Sequence, residues 1–220
     1  MKYYAIIVAG GSGKRMQHTT VKQFLRLKDK PVLMHTLNAF YQSIYKPELW
    51  VVLHPDWHQE WQQLCNAFHF QIPHQLLSGG EQRFHSVRNG LMAIKQEGII
   101  AVHDAVRPLV STRLINRSFE IATLRGNAIP YISPSDSVRQ KIEHGSRIIQ
   151  RDEIALIQTP QVFNSHQLKT AYQQHFRPEF TDDASVVEQA GFKINLIEGE
   201  RYNLKITYPE DLELAHFLLR

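Results

Sequence analysis

A short stretch near the amino terminus gathers glycines and cations: Gly10, Gly11 and Gly13, then Lys14, Arg15 and, a little further on, Lys22. Without a Cβ, those glycines can adopt positive φ and turn successive backbone N–H groups onto an anion, while the cations supply countercharge. The chemistry is that of a phosphate loop. Two familiar loops do not fit it. A Walker loop needs four residues between its first glycine and Gly-Lys-Ser/Thr, but Gly10 stands too close to Gly13-Lys14, and Arg15 replaces the hydroxyl. A dinucleotide fingerprint could use Gly11 and Gly13 but then meets Met16 where glycine or alanine is required. A plain glycine turn with solvated basic residues is the simpler alternative, and the loop alone does not exclude it.

Three further groups could do chemistry. Gly79-Gly80-Glu81-Gln82-Arg83-Phe84-His85-Ser86-Val87 reads as a strand end, a double glycine and a helix start, suited to a second ligand loop. Asp104 ends an apolar run and is followed by Arg107-Pro108. Asp104 could bind a magnesium ion that accompanies a triphosphate, directly or through water, or accept a hydrogen bond from a substrate hydroxyl. Arg107 could take a phosphate. Lys205 lies in an otherwise strand-like segment, Asn203 to Thr207. Other constellations read as structural. His54 and His58 straddle a strand end and Pro55 and share no helix face. Asp182-Asp183 reads first as helix capping, ahead of a catalytic or metal-binding pair.

The elements that must position these groups alternate. Tyr3 to Ala9 is a short buried strand leading into the first loop, and Pro31 to Phe40 is a helix whose Leu33, Leu37 and Phe40 share a face. Leu49 to His54 gives a second strand, Asp56 can cap a helix to about Phe68, and Gly98 to Asp104 gives another strand. This βαβ rhythm implies an α/β fold with a mostly parallel central sheet, whose strand ends gather distant loops into one crevice. After Asn127 the rhythm changes. Ser137 to Gln150 alternates polar and apolar residues about a turn at His144-Gly145-Ser146, which reads as a β-hairpin, and an isolated hairpin needs a partner. Ser165 can cap a helix to about His175, Thr181 to Ser185 opens another, and Thr207-Tyr208-Pro209-Glu210 reads as a capping box for the last.

The chain has 220 residues, enough for one domain spanning 1–220. Its 43% hydrophobic and 21% charged residues are ordinary for a globular protein. The net charge of +4 suits anionic ligands, yet no Lys/Arg block or basic-aromatic segment appears, so small phosphorylated substrates are expected and nucleic acid is not. Cys65 is the single cysteine, so no internal disulfide can form, and it reads as core. No charged leader or membrane-length apolar run is seen, and cytoplasmic residence without membrane association is the expectation.

Six separated segments in order carry a resemblance. They are the glycine loop with Arg15 and Val21-Lys22-Gln23, Gly-Gly-Glu-x-Arg-x-x-Ser-Val at 79–87, His103-Asp104-Ala105-x-Arg107-Pro108, the hairpin with Arg151, Thr159-Pro160, and Asn203-x-Lys205-x-Thr207 with its following proline. The chain resembles the 2-C-methyl-D-erythritol 4-phosphate cytidylyltransferases, with Val21 where that family usually has proline. The resemblance implies a Rossmann-like, three-layer nucleotidyltransferase fold and CMP transfer from CTP to methylerythritol phosphate with magnesium. Ala9, Gly10, Gly11, Gly13, Gly80, Glu81, Ser86 and Ala105 would hold the nucleotide. Arg15, Lys22 and Lys205 would act on the α-phosphate. Asp104, Arg107, Ser137, Arg151, Thr159 and Thr181 would serve the second substrate. The hairpin, about 133–152, would be a protruding arm that joins a homodimer. A ribitol 5-phosphate cytidylyltransferase and a non-catalytic nucleotide-binding subunit are the alternatives.

Overall fold

The structure is a computed structural model that describes residues 1–10 and 21–219. In chain order the strands and helices begin with β1 (Tyr3–Val8), β2 (Arg26–Leu27), β3 (Lys30–Pro31), α1 (Val32–Tyr41), β4 (Glu48–Leu53), α2 (His58–Ala67), β5 (Gln75–Ser78) and α3 (Arg83–Ala93). They continue with β6 (Ile99–Asp104), α4 (Thr112–Arg125), β7 (Asn127–Ile132), β8 (Val138–Ile142), β9 (Gly145–Ile149) and β10 (Leu156–Ile157). The last are β11 (Gln161–Asn164), α5 (Ser165–Ala171), α6 (Asp183–Gln189), β12 (Leu196–Glu198) and α7 (Pro209–Leu218).

The main sheet has eight strands in the order β10-β7-β11-β6-β1-β4-β5, with β12 also on β7. Strands β5, β4, β1 and β6 are mutually parallel, whereas β11 runs antiparallel to β6 and β7. Val8 pairs with both Val52 and Asp104, and Leu53 pairs with Ser78, so the carboxyl ends of these four strands lie level. That register brings loops far apart in sequence to one crevice, as expected for an open parallel sheet.

Alternation on the strands builds two cores. Ala5 and Ile7 of β1 and Ala101 of β6 face Leu33, Leu37 and Phe40 of α1 and Ile115 and Phe119 of α4. Tyr4, Ile6, Ile100 and Val102 face Val87 and Leu91 of α3, Leu168 of α5 and Val187 of α6. Helices therefore cover both faces, giving the three layers expected. The carboxyl helix α7 closes a smaller cluster of Leu27, Val32, Ile206 and Ala215. Helix α4 ends at Gly126, whose φ of +89° favours glycine, and a Cβ there would meet the Gln167 amide at 2.6 Å.

The hairpin forms from β8 and β9 around Glu143-His144, with Gly145 (φ +116°) already opening β9, two residues earlier than the sequence suggested. Other local expectations shift for identifiable reasons. Asp56 lies in a 3₁₀ turn, where its N–H is accepted by His54 Nδ1, and α2 begins at His58. Asn164, not Ser165, caps α5, because the Ser165 hydroxyl accepts the Gly98 N–H. Asp211, not Glu210, accepts the N–H groups of Thr207 and Tyr208 ahead of α7. The segment around Lys205 is extended but unpaired in any strand, tied by Ile206 N–H to Val106 O. Cys65 is half-buried against the α1-side core. Among the described residues no helix is long and apolar enough to cross a membrane.

One buried polar group ties this frame to the crevice. His103 is fully buried on β6 beside Phe40, at 5.0 Å between ring centroids. Its Nε2 lies 3.2 Å from Arg107 O, which can only accept, so Nε2 carries the hydrogen and Nδ1 accepts from the Thr159 hydroxyl at 3.0 Å. Burial holds this imidazole neutral, its pKa lowered to about 3. A folded-state value below the unfolded one means stability is complete above the ordinary histidine range and falls as pH drops from about 6.5 toward 3. Denaturant unfolding should therefore lose about 2 kcal/mol between pH 7.5 and pH 5 through this group alone. A His103→Asn variant should show a correspondingly flatter pH dependence, and an unchanged slope would assign the loss to other histidines.

Candidate active site

Two cavities open at the level strand ends, and they share a wall. The larger, about 730 Å³, is lined by Ala9 and Gly10 after β1, Lys22, residues 79–83, Ser86, Asp104 and Lys205. The smaller, about 270 Å³, is lined by Arg107, Thr159, Gln161, Thr181 and Asp182. Arg83, Asp104 and Lys205 line both.

The larger cavity is shaped by close backbone packing. Gln23 is buried and its amide donates to Ala9 O at 2.7 Å, so the loop's exit is pinned to the end of β1. The residue before it, Val21, has φ −67° and ψ 144°, angles that proline would also take, so its departure from the family pattern leaves the local backbone unchanged. Ser86, the fourth residue of α3, accepts the Gly80 N–H at 3.1 Å and donates to Gln82 O at 3.2 Å. Its Oγ also lies 3.2 Å from where a Cβ on Gly10 would stand, so Gly10 and Gly80 both close on one hydroxyl. A Cβ on Gly80 would run into the His85 side chain, which makes glycine obligatory there. Glu81 is exposed on the rim. Ala105 is fully buried behind the cavity, with its N–H on Val8 O and its carbonyl accepting from Thr36. Gly11, Gly13, Lys14 and Arg15 lie outside the described residues.

The shared wall is electrostatic. Asp104 Oδ1 lies 3.3 Å from Arg83 Nε, and Oδ2 lies 2.9 Å from Lys205 Nζ and 3.7 Å from Arg107 Nε. Burial alone would raise this carboxyl, but Arg83, then Lys205 and Arg107, hold it well below the usual carboxylate range. Arg107 is oriented by donating to Asn203 O at 2.7 Å, and Asn203 donates in turn to Thr159 O at 2.8 Å. The Lys205 segment is thus latched to the Thr159 segment beneath the site. Thr159 accepts the Asp104 N–H at 3.1 Å and gives its own hydrogen to His103. Toward the smaller cavity its hydroxyl can only accept.

The acidic pair divides its duties. Asp182 caps α6 by accepting the Ser185 N–H at 2.8 Å, and Gln161 braces that cap by donating to Asp182 and accepting from Ala184 N–H. Asp183 does not cap. It is fully buried, 2.7 Å from Arg83, and accepts the Tyr172 hydroxyl at 2.6 Å. Capping therefore accounts for only half of the pair. Sequence reasoning assigned no role to Arg83, Gln161 or Asn203, although Arg83 stands in the Gly-Gly-Glu-x-Arg pattern that signalled the second loop. His54 and His58 make local bonds to the Asp56 N–H and Leu53 O, as a structural reading requires.

Two expected residues are elsewhere. Arg151 is exposed in a 3₁₀ turn at the base of the hairpin, and Ser137 is exposed just before β8; neither lines either of these two cavities.

The family model "2-C-methyl-D-erythritol 4-phosphate cytidylyltransferase" matches residues 3–220. A relative from Bacteroides fragilis bearing that name is 47% identical over 215 residues, spanning 98% of each chain. The crystal structure of the Thermus thermophilus enzyme of that name superposes with a TM-score of 0.81 at 30% identity, covering 99% of this chain and 98% of its own. A 4-diphosphocytidyl-2C-methyl-D-erythritol synthase structure from Anaerococcus prevotii gives a TM-score of 0.84 at 26% identity, covering 100% and 97%. With these likenesses over its whole length, and with Gly10, the Gly79-Gly80 loop and the Asp104 wall meeting at one crevice, the chain belongs to the 2-C-methyl-D-erythritol 4-phosphate cytidylyltransferase family.

Proposed function

We propose that this protein transfers CMP from CTP to 2-C-methyl-D-erythritol 4-phosphate, giving 4-diphosphocytidyl-2-C-methyl-D-erythritol and pyrophosphate. The observation that carries the reading is the pair of cavities meeting at Arg83, Asp104 and Lys205, one lined by Gly10, Gly79 and Gly80 and one by Thr159, Thr181 and Arg107. Two phosphorylated substrates placed in them would present their phosphates to each other at that wall.

A phosphate oxygen of methylerythritol phosphate attacks the α-phosphorus of CTP in line, the new P–O bond forms, and the bond to the β-phosphate oxygen breaks to release pyrophosphate. The nucleophile is already anionic, so no general base is required, and no covalent enzyme intermediate intervenes. What the site must supply is alignment and neutralisation of charge on the α-phosphoryl oxygens. Lys22 and Lys205 line the cavity for that role, with Arg15 assigned the same role from its motif. Arg107 takes the second substrate's phosphate, and Thr159 and Thr181 face its polyol; Thr159, with its hydrogen committed to His103, accepts from a hydroxyl.

Magnesium belongs to this proposal as the companion of CTP. No group of three potential metal ligands occurs among the described residues, and Asp104 is already engaged by cations, so an all-protein cage does not fit. A single carboxylate beside a triphosphate fits the way magnesium is usually held, through one or two protein oxygens and the phosphates. Bound there, the ion would shield triphosphate charge, with Asp104 as the residue available to it.

The hairpin supports a homodimer. Its strands bear no core of their own, and Ile142, Ile148, Leu156 and Ile157 are exposed on and beside it. A second copy would cover them and receive Arg151 and Ser137 at its own smaller cavity.

Purified protein with CTP and magnesium should release pyrophosphate with methylerythritol phosphate and not with ribitol 5-phosphate; preference for ribitol phosphate would transfer the same chemistry to the alternative substrate, and silence with both would favour a non-catalytic subunit. Lys22→Ala should lower turnover roughly a hundredfold while the protein stays folded, and near-normal turnover would remove Lys22 from the mechanism. Subunit mixing tests the dimer: Lys22→Ala and Arg151→Ala, each nearly inactive alone, should recover roughly a quarter of wild-type activity when exchanged together, since half the dimers carry one intact site. Failure to recover from two inactive variants would place Arg151 at its own chain's site, and an active Arg151→Ala would place it outside catalysis.

A further inference from the structure

We infer that Asp183 and Arg83 are positioning residues for this reaction, a buried pair that holds Asp104 and, through it, fixes Lys205 at the junction of the two cavities. The inference rests on the proposed transfer reaction. Asp183 opens α6 and Arg83 opens α3, on the same face of the sheet, and the chain of contacts runs Tyr172 hydroxyl, Asp183, Arg83, Asp104, Lys205 at 2.6, 2.7, 3.3 and 2.9 Å. None of it is required to start α6, because Asp182 and Gln161 already satisfy that helix's first N–H groups.

A buried ion pair is a poor stabiliser, since desolvating both charges offsets most of their attraction. An apolar pair would hold α3 against α6 as well. What the pair does is apportion charge. Arg83, Arg107 and Lys205 surround Asp104, and with Asp183 this ion-pair cluster sets three cations against two carboxylates among the described residues. Asp183 engages one end of the Arg83 guanidinium, leaving Nε for Asp104 Oδ1 and Oδ2 for Lys205. Without the Asp183 charge, Arg83 would turn fully onto Asp104 and compete with Lys205 for it. Lys205 has 44% of its side chain exposed and no other carboxylate partner among the described residues, so it would leave the wall.

Asp183→Asn keeps the size and the hydrogen bond from Tyr172 and removes the charge. Its kcat should fall about tenfold, the scale on which outer-sphere partners act, with the KM for CTP within about twofold of wild type. In a Lys205→Met background, followed by single turnover at high enzyme, the same change should alter kcat by less than about twofold, because its target is gone. Equal losses in both backgrounds, or near-normal kcat in the first, would overturn the inference. Should Asp183→Asn fail to fold, Tyr172→Phe, which removes only one bond to Asp183, should give a loss of about threefold with the same dependence on Lys205; a loss independent of Lys205, or none, overturns it. A crystal structure of either variant is independent of turnover: Lys205 Nζ displaced from Asp104 supports the inference, and Lys205 still on Asp104 refutes it. Absence of turnover in wild type would instead count against the proposed reaction.

Discussion

A single carboxylate, Asp104, buried at the end of β6 and flanked by Arg83, Arg107 and Lys205, is the interaction on which the site depends. The three cations come from α3, from the turn after β6 and from the segment before α7. Left together without an acid they would repel one another, so the carboxylate is what lets one wall concentrate positive charge where phosphates must meet. The register of the parallel strands puts Asp104 level with Val8, at the carboxyl end of β1. The antiparallel strand β11 brings Thr159 and Gln161 alongside, and the Asn203 latch delivers Lys205 from the far end of the chain. Fold and chemistry meet in one charge balance.

Much of this was legible from sequence because it is local. Short continuous apolar runs in Tyr3 to Ala9 and Gly98 to Asp104 located β1 and β6, glycine pairs marked backbone that must approach closely, and the polar-apolar alternation of 137–150 gave the hairpin. Gly80 illustrates why such signals hold: no side chain fits beside His85, so the residue type itself carries the geometry. Gly11, Gly13, Lys14 and Arg15, central to the reading of the sequence, lie outside the described residues.

What was illegible depends on contacts across the sheet. Asp182 and Asp183 are identical neighbours in sequence, and only the placement of Arg83 a hundred residues earlier makes one a cap and the other half of a buried ion pair. Ser165 looked like a cap until Gly98 claimed its hydroxyl. Thr159 could be singled out by its motif, but that its hydroxyl faces the smaller cavity only as an acceptor follows from a histidine 56 residues away. In each case local propensity offered two or more partners and tertiary structure chose among them.

The measurement that bears most directly on the charge balance is turnover, CTP affinity and unfolding free energy of Asp104→Asn, taken on one preparation. Removing the charge leaves Arg83, Arg107 and Lys205 facing one another and takes away the carboxylate available to magnesium, so the account predicts turnover lower by roughly a hundredfold or more, stability lower by about 3 kcal/mol, and CTP affinity in magnesium reduced. A variant that turns over and unfolds like wild type would contradict it, because the three cations would then be held in place without the acid.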